Sequence, residues 1–200
     1  VGQFRILIHG KAAHVSTPQL GADAIYIASH LVVALQALEA RCTSPVEPVI
    51  LGVGKLNAGT TYNALAEEAV LEGTTRTITQ ATRDWAREKI DQAAAQTAAL
   101  YGGTAEVVWK GICSALYNDD QVCREAAAAA QAAIPGVRII RDRPFSLGGD
   151  NFAEFNRAVP GAYAYLGTGN PELPGTLNPA HNGYFDIDES TLPIGAALYA

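Results

Sequence analysis

Residues 3–9 alternate, with Phe4, Ile6 and Ile8 set against Gln3, Arg5 and His9 and Leu7 the one exception, and so predict a strand with one buried face. Beyond the turn at 10–16, Leu20, Ala24, Ala28, Leu31, Leu35 and Leu38 recur at helical spacing. They predict a helix from Pro18 to about Cys42, with Thr17 as its cap and Pro45 and Pro48 closing it. Short apolar or β-branched runs at 49–56 and 66–78, separated by the turn 57–63, predict two more strands. Ala86, Ile90, Ala93, Ala94 and Thr97 mark a second amphipathic helix over roughly 80–101, and the alternation at 104–110 a fourth strand. The order β-α-β-β-α-β predicts an α+β fold of the ferredoxin-like, split βαβ kind, a four-stranded sheet with both helices on one face.

The pattern changes after Gly111. An alanine-dense helix (119–134), a strand (137–140), a short helix near 150–158, a strand (161–167), a Gly/Pro-rich loop (168–183) and a final helix from about Glu189 follow one another. Two strands make a poor sheet by themselves. Residues 112–200 are therefore expected to be an incomplete α/β segment of a larger domain, set apart from a first domain over 1–111.

Composition narrows the function classes. Hydrophobic residues make up 48% of the 200 and charged residues 17%, which excludes a disordered chain. The net charge is −6, with 9 basic and 10 acidic side chains in 1–111 and 5 and 10 in 112–200, so no nucleic-acid partner is expected. No apolar run approaches bilayer length and the first residues lack the order of a secretory signal, so we expect no membrane partner and a cytoplasmic location. Cys42, Cys113 and Cys123 read as small buried hydrophobes in a reducing compartment. With no methionine in the chain, Val1 is not expected to be a translated start, and the chain reads as a piece of a longer protein.

Candidate chemistry centres on a few polar residues. His9, on the polar side of the first strand, and His30, off the helix stripe, read as solvated. His14 and His181 instead occupy loops, where a rigid scaffold presents functional groups. His181, in "NPAHNGYF", reads either as a surface residue or as a metal or catalytic group, and one ligand makes no metal site. Arg76 shares a strand face with Glu72. The favoured reading is a cross-strand ion pair, and the alternative is a guanidinium fork that takes a carboxylate with help from the amide of Asn63. Asp150, after two glycines, reads as a helix cap. "GVGKL" and "GTGN" lack the remaining glycines and the GK[ST] ending of phosphate loops, which excludes nucleotide binding.

Taken in order, "FRILIHGKAAHVSTP", "NALAEEAVLEGTTRT", "GGDNFAEFNRAVPGAYAYLGTG" and "AHNGYFDIDESTLPIGA" resemble the dinuclear zinc amidohydrolase and metallopeptidase family. That family includes aminoacylase, hippurate hydrolase, the plant auxin-conjugate hydrolases and carboxypeptidase G. The resemblance implies that 1–111 is the lid, or dimerisation, domain and 112–200 the returning C-terminal part of a catalytic domain. It implies a metal-dependent hydrolase of the amide bond in N-acyl amino acids or related small amides with a free carboxylate. It further implies two zinc ions in the full enzyme, with manganese or cobalt as substitutes, and a homodimer formed through the lid. The 200 residues alone are then expected to be inactive. By the same resemblance His14 reaches the partner subunit's active site to stabilise the oxyanion, Asn63 and Arg76 hold the substrate carboxylate, and His181 is a metal ligand. The chain departs from the family at Ala12 and Ala13, Gln19, Leu65 and Ala66, and Asp150 and Asn151, none of which is one of these four residues. A different class competes: a non-catalytic dimerisation or small-molecule-binding module, a role the split βαβ fold also serves.

Overall fold

The computed structural model describes residues 1–111 and 113–199. These form two compact units, 1–116 with 146–154, and 117–145 with 155–200. Ile112 and Ala200, at the expected domain boundary and at the end of the last apolar run, lie outside the described residues.

The first unit carries strands β1 (Gly2–His9), β2 (Ile50–Ala58), β3 (Glu68–Arg76) and β4 (Thr104–Gly111), with helices α1 (Ala24–Cys42) and α2 (Gln80–Leu100) between them. The sheet order is β2-β3-β1-β4 and every pairing is antiparallel. Alternation decides what each strand turns inward: Phe4, Ile6 and Ile8 of β1 and Ala69, Leu71 and Thr75 of β3 are buried, each at most 3% exposed. They pack on Ala24, Ile27, Ala28, Leu31 and Leu35 of α1 and on Ala86, Ile90, Ala94 and Ala98 of α2. Burying each large aliphatic side chain here contributes about 1.5–3 kcal/mol. The alanine stripe of α2 is what lets that helix lie close to its neighbours. The opposite face, turned away from α1 and α2, carries Gln3, Arg5, Leu7 and His9 and, from β3, Glu68, Val70, Glu72, Thr74 and Arg76.

Two local features differ from the sequence reading. Thr17 does not cap α1: Pro18–Leu20 is a single 3-10 turn without a side-chain cap, closed by Gly21, and Leu20 is 60% exposed. The cap is Asp23, whose carboxylate accepts the Ile25 backbone N–H at 2.9 Å. The extra turn redirects the chain between His14 and the helix, which a continuous apolar spacing does not reveal. Cysteine burial also varies, since Cys113 is buried, Cys123 half-buried and Cys42 exposed. α2 starts where expected, with Thr79 and Thr82 exchanging side-chain to backbone hydrogen bonds at 3.1 and 3.3 Å. By length and composition α1 alone among the described helices is long and apolar enough to cross a membrane, yet its buried stripe faces the sheet.

Gly73 is fixed by the register. It stands opposite Phe4 on β1 and Val53 on β2, on the inward face, and an added Cβ would collide with the Phe4 ring and the Gly52 carbonyl oxygen. Neither an enclosed ring nor a strand carbonyl can yield. Gly73→Ala is therefore expected to cost about 3 kcal/mol, read as a lowered denaturation midpoint with an unchanged slope.

The second unit carries α3 (Asp120–Ala133) and α5 (Leu192–Ala197), and α4 (Phe152–Asn156) begins in the first unit and ends here. Asp119 caps α3 by accepting from the N–H groups of Gln121 and Val122, both at 2.9 Å. Asp150 accepts the Phe152 N–H at 2.8 Å, the capping role its two preceding glycines suggest. The strands expected at 137–140 and 161–167 do not form. Segment 161–167 meets 118–119 through one backbone bond, Asp119 N–H to Gly161, and the side chain of Asn118 bound to both backbone groups of Tyr163. A strand needs a ladder partner, and among the described residues of this unit there is none.

Candidate functional site

His14 and Asn63 are brought together by backbone pairing. Beyond the β1–β3 ladder the two chains continue side by side: the Leu65 N–H donates to Ala13 at 2.8 Å, the Val15 N–H to Asn63 at 3.3 Å, and His14 and Ala64 form an isolated bridge. Gly10 fits only as glycine, since a Cβ there would press on the backbone of Ala22, Ala24 and Ala66 where these loops meet. The small residues around His14 thus hold a tightly stitched corner. His14 is exposed there and Asn63 half-buried.

The acceptor atoms of both side chains are taken. The Ser16 backbone N–H donates to Nδ1 of His14 at 3.2 Å, and Ser16 Oγ lies 2.7 Å from the same nitrogen. Thr61 Oγ1 donates to Oδ1 of Asn63 at 3.2 Å. A backbone N–H can only donate, so Nδ1 is the unprotonated nitrogen and the neutral ring carries its proton on Nε2. Nε2 meets no partner among the described residues. What the corner offers is N–H groups.

Arg76 lies elsewhere. It ends β3, on the face away from the helices, and its guanidinium makes no ion pair or hydrogen bond among the described residues. The expected pair with Glu72 does not form. A register shift between Val53 and Lys55 sets Lys55 opposite Glu72, and its ammonium takes that carboxylate at 3.3 Å. The guanidinium fork reading therefore gains over the ion pair. The pairing of Asn63 with Arg76 in one chain is another matter. Glu68 to Arg76 is eight steps of extended strand, about 27 Å, and Asn63 precedes its start. One chain does not bring Arg76 to Asn63 and His14.

His181 belongs to the second unit and sits at an exposed turn with φ 69°, the left-handed region, the sole non-glycine there among the described residues. Histidine tolerates that region better than most residues, and such a backbone at a loop tip invites a functional explanation. The loop is latched at its base. The Asp188 N–H donates to Thr168 at 3.0 Å, and Asn170 Nδ2 to the Asp188 carboxylate at 2.9 Å. Asn178 Nδ2 donates to the Tyr184 carbonyl at 2.9 Å just beyond the tip. Hydrogen bonds from Ser190 first, and then from Asn170, hold the Asp188 carboxyl below the usual carboxylate range. The sequence reading missed Ser16, Thr61, Asn170 and Asp188. A hydroxyl two positions from His14 and another two from Asn63 were the only available signal.

The metal is tested on the donor set. Among the described residues no group of three or more His, Cys, Asp or Glu side chains is placed to hold an ion. His181 is one ligand at most, and these residues do not make a metal site. A cleft of about 440 Å³ in the second unit, lined by 117–119 and 156–161, contains none of the candidate residues.

An antiparallel β2-β3-β1-β4 sheet with two helices on one face defines a ferredoxin-like α+β domain. Residues 1–102 match the family described as the peptidase dimerisation domain, M20_dimer, and the chain belongs to the M20 peptidase family. It is 33% identical over 195 residues to an N-acetyl-L-cysteine deacetylase of Bacillus subtilis, covering 96% of this chain and 44% of that protein. It is 29% identical over 198 residues to thermostable carboxypeptidase 1 of Saccharolobus solfataricus, covering 98% and 49%. Among solved structures, a dinuclear metal-binding M20 peptidase of Bacillus subtilis superimposes with a TM-score of 0.73 at 26% identity, over 99% of this chain and 47% of that one. The chain spans about half the length of the curated relatives it matches.

Proposed function

We propose that the whole protein is a metal-dependent hydrolase of C–N bonds that acts on N-acyl amino acids, or related small amides with a free carboxylate, as a homodimer. One observation carries this reading: the candidate residues form two half-sites at opposite ends of β3 that a single chain leaves apart. A second copy closes the gap. His14 and Asn63 of one protomer then face Arg76 of the other, each half-site incomplete without its complement. Two relatives support the chemistry by what they are named for, a carboxypeptidase and an N-acetyl-L-cysteine deacetylase. Family membership through a dimerisation domain supports the assembly.

Each residue then has a task set by its chemistry. Nε2–H of His14 donates to the oxygen on which negative charge grows as the amide carbonyl is attacked, and the Asn63 amide adds a donor beside it. The Arg76 fork binds the substrate carboxylate through two parallel hydrogen bonds, as a planar guanidinium does and an ammonium does not. His181 contributes one ligand to a metal whose other ligands come from the part of the relatives' length outside these 200 residues. The test is turnover of N-acetyl amino acids by the whole protein, with and without a chelator. Hydrolysis that stops with chelation and returns with added divalent metal is expected. No turnover across the series, or turnover indifferent to chelation, would reject the reading and favour a binding module.

A further inference from the structure

We infer that Ser16 and Thr61 are positioning residues that fix the His14 ring and the Asn63 amide so that Nε2–H and the amide NH2 are presented to an anionic oxygen. The inference rests on the functional reading above and extends it to two residues with no role there. An imidazole and a primary amide each carry both a donor and an acceptor. Left free, each presents either to a ligand. Here both acceptors are occupied by groups two positions away in sequence, Ser16 on Nδ1 of His14 and Thr61 on Oδ1 of Asn63. Neither hydroxyl is buried in the core or serves as a helix cap. What remains outward is Nε2–H of His14 and the amide NH2 of Asn63, on adjoining segments.

Two consequences follow. With its proton on Nε2, His14 donates without an added proton. Fixing the ring before the reaction also removes reorganisation at the moment charge develops.

The experiment uses the whole protein with 15N-labelled histidine, the His14 signals being assigned by their loss in His14→Ala. The unsubstituted protein is expected to show His14 with Nδ1 bare and Nε2 protonated. Ser16→Ala, which keeps the backbone N–H on Nδ1, is expected to retain the tautomer, to shift the His14 15N signals as the hydroxyl contact is lost, and to lower kcat for an N-acetyl amino acid about three- to tenfold at unchanged KM, the worth of one hydrogen bond realised in the transition state. Ser16→Thr keeps the hydroxyl and should restore both. Thr61→Val should lower turnover by a similar factor without moving the His14 signals. A wild-type His14 protonated on Nδ1, or a Ser16→Ala protein with its His14 signals unmoved, would overturn the inference whatever the activity. Should His14→Ala itself leave turnover intact, the functional reading fails first, and the two failures are told apart by which measurement moves.

Discussion

Replacing His14 by alanine in the whole protein is expected to lower kcat by about 10²- to 10³-fold, the measured cost of losing one oxyanion donor. KM should change little, because the donor meets charge that exists only in the transition state. Metal content should also stay the same, since His14 lies in the first unit at an exposed corner and belongs to no metal cluster among the described residues. That combination separates a transition-state donor from a ligand or a folding defect. Steady-state kinetics with metal analysis on one preparation reads all three.

Arg76→Ala is expected to lower kcat/KM for a free N-acyl amino acid by about 10- to 100-fold, the range for a charge-assisted contact. Most of that loss should fall on KM. The methyl ester of the same substrate has no charge for the fork and should be affected far less. Arg76→Lys should recover only part, because a point charge replaces a planar one. Little else is expected to change in the fold, since Arg76 holds no partner whose loss would leave a charge stranded.

Much of the first unit was legible because its signals are local. The alternation of Phe4, Ile6 and Ile8 and the alanine stripe of α2 each name a buried face without reference to anything distant, and the order of elements then leaves one sheet topology. The failures share a cause, that partners are chosen in three dimensions. Val137 to Ile140 and Gly161 to Gly167 have strand composition, but a strand is a relation between segments, and no ladder partner is at hand among the described residues of that unit. Arg76 and Glu72 share a face, yet the shift past Gly54 delivers Lys55 to Glu72, and a glycine within a strand run can mark a bulge without saying which partner it brings round. The thirteen positions between Asn63 and Arg76 say nothing about distance until β3 is known to run straight between them. Thr17 had the right residue type for a cap and lost to Asp23, because a 3-10 turn intervenes.

The candidate site was legible as a set of residues and not as an arrangement. His14, Asn63, Arg76 and His181 were picked out through loop position and family resemblance. What the structure adds is their division: His14 with Asn63 on one stitched corner, Arg76 at the far end of the strand, and His181 on a latched loop of the second unit. Under the proposed function, that division makes the dimer a requirement of the chemistry and not an accessory to it.

Subunit mixing tests this most directly. His14→Ala and Arg76→Ala proteins, assayed with substrate well below KM so that each alone turns over at no more than about a tenth of the wild-type rate, are combined under conditions that let protomers exchange, and turnover is followed. If the two half-sites meet across copies, each mixed dimer has one intact site and one lacking both groups. Random exchange should then restore about one quarter of wild-type activity, half the dimers being mixed with one of two sites working. If His14 and Arg76 instead serve the same site from the same chain, every site in every mixed dimer lacks one group. Activity that stays at the level of the separate variants after exchange would contradict the account.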